Sequence, residues 1–507
     1  MKTDRIIATM PIGAAMLDAP STELKPQFWA VCQNALPHQM QLRQRDGHAN
    51  ATAIGATGSR ACIFDRTNGD RDIVLLPTGA GYSWNGTTFV AWGTVAGPTP
   101  NSIYVPSYTG YADRFYAAGL DTLNLDSVVY IDAGGAATAN VPGANQYQAT
   151  QTKHVAQAIA YFGNHLMLGN VIEDGVQYHN RVRWSATGDD ANWDTSTDPS
   201  TGYADAIEGP GQILAMLPFG ADLLIYREES ISICRYLGDL PPFAFALDCT
   251  TYGLWAPMTL LDIGEGHVFL SRKGVIAYRG CNRAEPIDQA INRSLMAELS
   301  TLADDQAASV QRAAWAMWDP IRRLYWLFYP ASDTTGCYRA WVCNIGRDGG
   351  YTWFKQTYVG LQPCGNFIKF QTLGDSAVAT IGWLGGRIMG PSYKSDGASA
   401  IDFDLQSPDF LASEEHLNRF KRWLGAELEA RGAASTDTLI VQYSTDRGST
   451  WNTISASPLT LAATIGLYEV WFDASAKLLR IRFRNNTAGH QPTLRSYQLK
   501  FTVQAEY

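Results

Sequence analysis

The stretch ILAMLPFGADLLIYREESISICRY, residues 213–236, carries the pattern on which the fold depends. Three runs rich in Leu, Ile and Tyr, at 213–217, 223–226 and 230–236, are separated by polar or glycine-containing turns. Short apolar runs bounded by turn signals are typical of β-strands that are buried on both faces. The stretch therefore predicts three neighbouring strands joined by tight turns.

The same pattern of short apolar runs separated by turns recurs along most of the chain. Comparable units lie at 61–90, 158–185, 213–236, 258–278, 313–353 and 367–389. In the first unit, Asn85 and Gly86 form a strong hairpin signal, because both central positions of a type I′ turn need a positive φ. The units are spaced by about 40 to 55 residues, which is the length of a four-stranded propeller blade.

We predict an all-β fold whose main domain, residues 61–395, is β-propeller-like, with about six blades and one inserted helix. A propeller closes radially and protects its strand edges, which suits a chain with many strands and few charges. Two or three stacked β-sandwiches are the alternative.

One segment has helical periodicity. Ile291, Leu295, Leu299 and Leu302 recur at spacings of four, four and three residues, which places them on one helix face. Asp288 precedes them and is the expected N-cap, because its carboxylate can accept hydrogen bonds from the free amides of the first turn.

The last part of the chain alternates between apolar and polar residues. The alternation is clear at 424–428, 439–443, 468–472, 478–484 and 497–503. About 100 residues with several half-buried strands are typical of a β-sandwich. We predict a C-terminal β-sandwich over residues 396–507, and an N-terminal segment, residues 1–60, that completes the propeller or contacts a neighbouring protein.

Composition excludes several classes of protein. The 507 residues carry 39 basic and 48 acidic side chains, a net charge of −9, and only 17% of them are charged. A protein that grips nucleic acid through its phosphates is basic or carries a dense basic stripe, and this sequence shows neither. An aromatic content of 11% excludes a disordered chain.

The eight cysteines contain no C-x-x-C pair, so neither a zinc ribbon nor a redox motif is indicated. Cys234 and Cys343 lie in apolar runs, where we expect buried thiols. No run of about 18 apolar residues predicts a membrane span. Pro11 and Gly13 interrupt the short apolar run near the N-terminus, so we expect synthesis in a cytoplasm without a signal peptide.

The usual catalytic signatures are missing from the sequence. It contains no G-x-S-x-G elbow, no H-E-x-x-H, no phosphate loop and no G-x-G-x-x-G after a strand. The eight histidines form no i, i+2 or i, i+4 pair that would indicate a metal site. We therefore predict no catalytic residue, no metal site and no cofactor.

One motif, an Asp box of the form S-x-D-x-G-x-T-W, has some specificity. Its residues are Ser444, Asp446, Gly448, Thr450 and Trp451. We interpret it as a structural turn, in which the aspartate binds backbone amides and the glycine supplies a permissive φ. Asp boxes also occur in sialidases, but a sialidase would need several boxes in the propeller, and this one lies in the predicted sandwich.

Arg480, Arg482 and Arg484 alternate with apolar residues, so one face of the predicted strand is wholly basic. A solvated strand face is one interpretation. The other is an interface for an acidic neighbouring subunit or an anionic glycan.

Several segments are similar to tail proteins of short-tailed, podovirus-type bacteriophages. They include residues 22–34 (TELKPQFWAVCQN), 180–194 (NRVRWSATGDDANWD), 211–232, 269–275, 285–288 and 318–326. The similarity covers most of residues 20–390 as an order of segments and a texture.

This resemblance implies a structural virion protein without enzymatic activity, a propeller-bearing tail hub or nozzle. It implies a homo-hexameric ring below the portal and the adaptor, with fibres or spikes as further partners. Genomic DNA would pass through the lumen without specific binding, since acidic or neutral walls do not retain a polyanion. The expected location is the virion, after synthesis in the host bacterial cytoplasm. The alternative function is a glycan-binding or sialidase-like propeller that acts as a receptor-binding tail component.

Overall fold

The structure is a computed structural model, and part of the chain is described. The described residues are 4–9, 18, 21–38, 41–50, 60–65, 71–76, 80–84, 89–94, 107–111, 114–118, 129–131, 137–139, 155–205, 208–301, 310–320, 322–330, 337–346, 350–359, 367–372, 375–382, 387–389, 393–411 and 419–503.

The N-terminal segment contributes five short strands that are shared among several sheets. They are β1 (Asp4–Thr9), β2 (Val31–Gln33), β3 (Ala35–His38), β4 (Gln41–Gln44) and β5 (His48–Asn50).

Strands β6 to β32, together with β5, form seven antiparallel units of four, which we number as blades 1 to 7 in chain order. Blade 1 consists of β6 (Arg60–Asp65), β7 (Arg71–Leu76), β8 (Ala80–Trp84) and β9 (Phe89–Thr94). Blade 2 consists of β10 (Ser107–Tyr111), β11 (Arg114–Ala118), β12 (Val129–Ile131) and β13 (Ala137–Ala139). Blade 3 consists of β14 (Val155–Phe162), β15 (His165–Glu173), β16 (Val176–Trp184) and β17 (Gly202–Asp205).

Blades 4 and 5 follow directly. They consist of β18 (Ile213–Phe219), β19 (Asp222–Arg227), β20 (Ile231–Tyr236) and β21 (Phe243–Cys249); and β22 (Leu261–Asp262), β23 (His267–Ser271), β24 (Gly274–Tyr278) and β25 (Ala284–Pro286).

Blade 6 consists of β26 (Trp315–Asp319), β27 (Leu324–Pro330), β28 (Cys337–Ile345) and β29 (Tyr351–Val359). Blade 7 consists of β30 (Phe367–Thr372), β31 (Asp375–Gly382) and β32 (Arg387–Met389), with β5 from the N-terminal segment as its fourth strand.

The first strands of successive blades lie next to one another, as the inner strands of a propeller do. Contacts join β6 to β10, β10 to β14, β14 to β18, β22 to β26 and β26 to β30. The predicted all-β, propeller-like fold class is confirmed.

The described residues form seven blades, whereas the spacing of apolar runs predicted about six. The additional unit is blade 2, whose strands contain sequences such as SYTGY and RFYAA. These strands are short and rich in Tyr, Ala and Gly, so they lack the Leu and Ile runs that marked the other units. The two chain regions that form blade 7 pair through Arg387 with Asn50 and Met389 with His48.

Neighbouring blades pack through apolar faces, which explains why strands such as β19 read as continuous apolar runs. Leu223 and Ile225 pack towards blade 3, while Leu224 and Tyr226 pack towards blade 5. Because successive side chains of a strand point to opposite faces, a strand between two blades needs apolar residues at every position.

Blades 4 and 5 also share a buried histidine. His267 is fully buried; its Nε2–H donates to the carbonyl oxygen of Pro218 at 3.1 Å, and its Nδ1 accepts from the hydroxyl of Tyr226 at 2.7 Å. The carbonyl can only accept, so this pair of bonds selects the neutral ring with its proton on Nε2. Burial lowers the pKa of His267 to about 4.

We predict that this histidine makes the fold sensitive to acid. The unfolded chain protonates the side chain near pH 6.5 and the folded chain only near pH 4, so stability falls as the pH drops through that window. This group alone removes up to about 3 kcal/mol of the free energy of unfolding. Urea unfolding at several pH values gives the free energy of unfolding as a function of pH. Between pH 6.5 and pH 4 this free energy should fall less steeply for His267→Gln than for the natural protein, whereas His179→Gln, at an exposed position, should leave its pH dependence unchanged. An unchanged slope in His267→Gln would contradict the assignment.

The C-terminal region adds the strands of a β-sandwich. They are β33 (Phe403–Gln406), β34 (Lys421–Arg431), β35 (Thr438–Ser444), β36 (Asn452–Thr453), β37 (Leu459–Thr460), β38 (Gly466–Ala476), β39 (Arg480–Asn485) and β40 (Thr493–Val503).

The sandwich combines strands from both ends of the chain. Its first sheet has the order β3-β4-β40-β34-β38, with β1 beside β40. Its second sheet, β2-β33-β39-β35-β36, continues into blade 6, because β2 pairs in parallel with β29. Trp29 lies between the two sheets, with its ring 5.6 Å from that of Tyr497 and 6.3 Å from that of Phe483. The predicted sandwich is thus present and includes N-terminal strands, while the predicted domain boundaries stay a prediction.

A buried ion pair joins the N-terminal segment to the linker between blade 7 and the sandwich. Arg45 and Asp396 each expose only 1% of their side chains, and two bonds of 2.6 and 2.9 Å join the guanidinium to the carboxylate. Arg45 also donates to Oδ1 of Asn34 at 3.2 Å and lies 4.0 Å from the ring centre of Tyr358 in blade 6. Burial alone would raise the pKa of Asp396, but the adjacent Arg45 keeps this pKa below its usual value.

We predict that Asp396→Asn destabilises the protein strongly, because it leaves a buried guanidinium without its counter-charge. Breaking one side of a buried pair costs about 3–5 kcal/mol of the free energy of unfolding. The control is Asp473→Asn, which breaks a pair with Arg422 in which both side chains are more than half exposed; such pairs contribute little. Chemical denaturation of both variants provides the measurement, and equal effects would refute the proposed role of burial.

The inserted helix is shorter than expected and is capped differently. It forms α1 (Asn292–Leu299), in which Leu295 and Leu299 are buried as predicted, and a second helix, α2 (Val310–Ala313), follows. Ile291 occupies the N-cap position, so the prediction of Asp288 as the cap is wrong. The carboxylate of Asp288 instead accepts from the amide of Val275 at 3.0 Å, because the side chain is buried against blade 5. Leu302 lies outside the described residues.

Among the described cysteines, four are buried, Cys281 is exposed, and none forms a disulfide. The helices found among the described residues are too short or too polar to cross a membrane.

Candidate functional site

The three arginines that were predicted to form a basic face lie on β39, between β33 and β35. Each of them meets a carboxylate of the same chain: Arg480 binds Asp409, Arg482 binds Asp404 and Arg484 binds Asp402, with shortest N–O distances of 2.8, 2.7 and 2.9 Å. The face is therefore a ladder of internal ion pairs. An anionic partner would have to compete with these carboxylates, and the predicted interface role stays a prediction.

The Asp box forms the turn between β35 and β36. The carboxylate of Asp446 accepts from the hydroxyl of Ser444 at 2.6 Å and from the amide of Thr450 at 2.9 Å. These bonds hold the pKa of Asp446 at about 2. Gly448 has a φ of +86°, which a side chain would strain. The guanidinium of Arg482 lies 5.2 Å from the ring centre of Trp451, so the motif connects to the arginine ladder.

A second group of polar side chains lies at one end of the propeller. We call this end the upper face and define it by the turns that join the second and third strands of each blade. On blades 3 to 5 these turns lie at residues 174–175, 228–230 and 272–273. Together with the segment at 251–256, between blades 4 and 5, they form the candidate site.

A chain of hydrogen bonds crosses the boundary between blades 3 and 4. Gln177 donates to Oδ1 of Asn170 at 2.9 Å, and Asn170 donates to the carbonyl oxygen of Ile213 at 3.2 Å. Gln212 donates to the carboxylate of Glu228 at 3.0 Å. Gln177 is exposed, while Gln212 and Glu228 are half-buried. The boundary therefore presents planar amide and carboxylate groups to the solvent.

His179 completes this group. Its Nδ1 lies 3.2 Å from Oε1 of Gln212, and this amide oxygen can only accept, so the histidine donates from Nδ1. His179 is exposed, which leaves its Nε2 edge directed away from this bond.

A β-bulge positions Asn170 in this chain. The pairing of β15 with β16 shifts register between Gly169 and Val171, and Asn170 has a φ of +53°. Bulges re-aim side chains, and asparagine tolerates this backbone conformation better than most residues. The side chain is buried and reaches the first strand of blade 4.

An ion cluster supports the other face of β16. The carboxylate of Glu173 accepts from Arg181 at 2.7 Å and from Arg183 at 2.8 Å, and all three side chains are largely buried. Because Arg181 and Arg183 occupy alternate positions, they fix the orientation of the strand that carries Gln177 and His179.

Two aromatic side chains follow at the boundary between blades 4 and 5. The ammonium of Lys273 lies 5.5 Å from the ring centre of Tyr252 and donates to the carbonyl oxygen of Thr251 at 2.7 Å. The guanidinium of Arg272 lies 5.2 Å from the ring centre of Trp255. Basic side chains at the turn of blade 5 thus hold the aromatic segment in place.

The segment that carries Tyr252 passes close to the turn of blade 4. A Cβ added to Gly253 would lie 2.3 Å from the carbonyl oxygen of Glu228, so only glycine fits there. The amide of Leu254 donates to the carbonyl oxygen of Arg227 at 2.7 Å. Arg227 is fully buried beneath the turn and donates to the carbonyl oxygen of Gly209 at 3.1 Å. The segment that carries Tyr252 is therefore held directly against the turn of blade 4 that carries Glu228.

Sequence reasoning did not find this site. Its residues come from turns of three blades, and no local motif joins them. The available signal was positional: the acidic pair Glu228 and Glu229 and the basic pair Arg272 and Lys273 follow the second strands of successive units. Among the described residues, no group of three His, Cys, Asp or Glu side chains could hold a metal ion.

Comparison with known proteins gives no family and no curated relative. No family model matches the sequence, and no curated protein matches it. Solved structures do resemble it. An exo-β-1,3-galactanase from Phanerochaete chrysosporium shares 9% identity, covers 89% of this chain and 100% of its own, and gives a TM-score of 0.27.

Two further structures illustrate the range. A glycoside hydrolase family 43 arabinoxylan arabinofuranohydrolase from Bacillus subtilis shares 9% identity over 98% of this chain and 99% of its own, with a TM-score of 0.23. The WD40 domain of Neurospora crassa Pan2 shares 10% identity over 71% of this chain and 98% of its own, with a TM-score of 0.37. At these identities and TM-scores, the likeness extends neither to a catalytic residue nor to a substrate.

These findings correct two predictions. Glycoside hydrolases and a WD40 domain are among the solved structures that resemble this chain, and none of these is a phage tail protein, so the prediction of a virion tail nozzle for genome ejection is wrong. The prediction of a protein without enzymatic activity is wrong on the same findings. The physical reason is that the order and texture of the segments follow from blade geometry, which many unrelated functions share. The predicted oligomeric state and location stay predictions.

Proposed function

We propose that this chain is a glycan-binding β-propeller protein, whose ligand occupies the upper face of blades 3 to 5. The observation that supports the proposal is the row of planar polar groups, from Gln177 to Glu228, that continues into the half-buried aromatic ring of Tyr252.

Sugar hydroxyls both donate and accept hydrogen bonds, so they match surfaces that present both kinds of group. The amide of Gln177 uses one of its two protons in the bond to Asn170, and the carboxylate of Glu228 has capacity beyond the bond from Gln212. The internal bonds fix the geometry before a ligand arrives, which reduces the entropy lost on binding.

Aromatic rings supply the apolar part of such a site. The face of an aromatic ring carries partial negative charge and attracts the weakly positive C–H groups of a sugar ring. Tyr252 is half-buried and held by Lys273, so its ring is both accessible and oriented.

The charges of the surface favour a neutral or weakly charged ligand. The turn of blade 4 carries the acidic residues Glu228 and Glu229, and the turn of blade 5 carries the basic residues Arg272 and Lys273. A surface with both signs has no uniform field with which to hold a polyanion.

We predict that Tyr252→Ala and Gln212→Ala each weaken the binding of neutral oligosaccharides at least tenfold, because each removes a contact group from the preorganised surface. Isothermal titration with oligosaccharides selected on a glycan array provides the measurement, and released sugar is assayed in the same samples to detect cleavage. The control is Tyr236→Ala, which removes a tyrosine that is 44% exposed at the opposite end of blade 4. Wild-type affinity in both upper-face variants, or no binding by the natural protein, would refute the proposal.

A further inference from the structure

The first sandwich sheet has an outer face that none of the sites above uses. It exposes apolar side chains on two of its strands: Leu467 and Trp471 on β38 are 67% and 59% exposed, and Ile7 on β1 is 57% exposed. Trp471 is the largest of these side chains, and its exposed ring offers an apolar surface of the size of a sugar ring. The geometry around Trp471 indicates which kind of ligand the face fits.

Trp471 extends across the neighbouring strand. It pairs with Gly425 of β34, next to a register shift between Trp423 and Gly425. A Cβ added to Gly425 would lie 3.4 Å from Cε3 of Trp471 and 2.4 Å from the carbonyl oxygen of Val470. The bulge and the glycine therefore leave room for the indole above the strand, and the ring has an exposed surface.

Lys500 fixes the ring from the next strand. Its ammonium lies 4.9 Å from the ring centre of Trp471, and it pairs with Glu427 and with Glu469, the latter at 3.3 Å. Register places Gln498, Glu427 and Glu469 side by side on β40, β34 and β38. A row of polar groups thus lies directly beside the indole.

The charged groups that flank the indole are paired within the chain. Lys500 neutralises part of the acidic row, and on the other side of Trp471 the guanidinium of Arg422 binds the carboxylate of Asp473 at 2.5 Å. A charged ligand gains little from a surface whose charges already have partners.

A protein partner or a second copy of this chain also fits the face poorly. The exposed apolar residues Ile7, Leu467 and Trp471 are separated by the charged row, so they do not form one continuous apolar patch. A protein that covered the row would have to remove the paired charges from water, which is costly. A sugar chain avoids this cost, because its hydroxyls form hydrogen bonds with the charged groups in place of the displaced water molecules.

We propose that this outer face is a second glycan site, which binds an extended neutral polysaccharide with one sugar ring stacked on Trp471. The ligand class rests on the proposed function, whereas the location and the residues are independent of it. Gln498, Glu427 and Lys500 would bind the hydroxyls of the sugar unit that follows the stacked ring on the side of the polar row.

The test is affinity electrophoresis of the full chain in native gels that contain arabinoxylan, xyloglucan or β-1,3-galactan. Trp471→Ala should raise the dissociation constant obtained from the retardation at least tenfold. Trp471→Phe should raise it less than Trp471→Ala does, because a smaller aromatic ring still stacks on the sugar. Tyr236→Ala is the control, since it removes an exposed aromatic residue from the propeller.

The upper-face variant Tyr252→Ala separates the two proposals. If Trp471→Ala is no longer retarded by polysaccharide while Tyr252→Ala is retarded like the natural protein, the result supports the sandwich site and contradicts the propeller site. The reverse result overturns the present inference alone. Partial loss in each variant and complete loss in the double variant supports both sites. Wild-type retardation of Trp471→Ala with every polysaccharide, or a change of its oligomeric state in size-exclusion chromatography, overturns the inference.

Discussion

The buried pair of Arg45 and Asp396 is the interaction on which the arrangement of this chain depends. Asn34 and Arg45 come from the N-terminal segment, Tyr358 from blade 6, and Asp396 from the linker before the sandwich. A guanidinium with 1% exposure is stable only where several acceptors surround it. The pair therefore requires all these segments to be in place together, and it couples the propeller to the sandwich.

The second constraint is that strands from the N-terminal segment complete sheets formed by later parts of the chain. Strand β5 from the N-terminal segment completes blade 7, and β1, β3 and β4 enter the first sandwich sheet. Both β-structures thus contain strands from distant parts of the chain, and neither is a contiguous stretch of sequence. Packing between blades also explains the composition, because strands such as β19 that are covered on both sides by neighbouring blades are apolar and leave the polar residues to the turns.

The same arrangement determines where ligands can bind. Blade interiors are packed with apolar side chains, so binding groups are available at the turns of the upper face and on the outer face of the sandwich. In both places a local irregularity positions the contact group: a bulge at Asn170 in blade 3, and a bulge beside Gly425 in β34. The error about function arose because blade texture reports this scaffold and carries no information about the sites placed on it.

The sequence by itself determined the fold class and most of the blades, because turn signals and apolar runs such as 213–236 act over a few residues. It also identified Leu295 and Leu299 as a buried helix face and the Asp box as a turn motif. Blade 2 escaped detection, since strands such as RFYAA have no long apolar run. Only the tertiary structure decided which charges meet: Arg480 binds Asp409 from 71 positions away, and Arg45 binds Asp396 from 351 positions away. Such pairs depend on how distant segments pack, and local sequence patterns do not encode that.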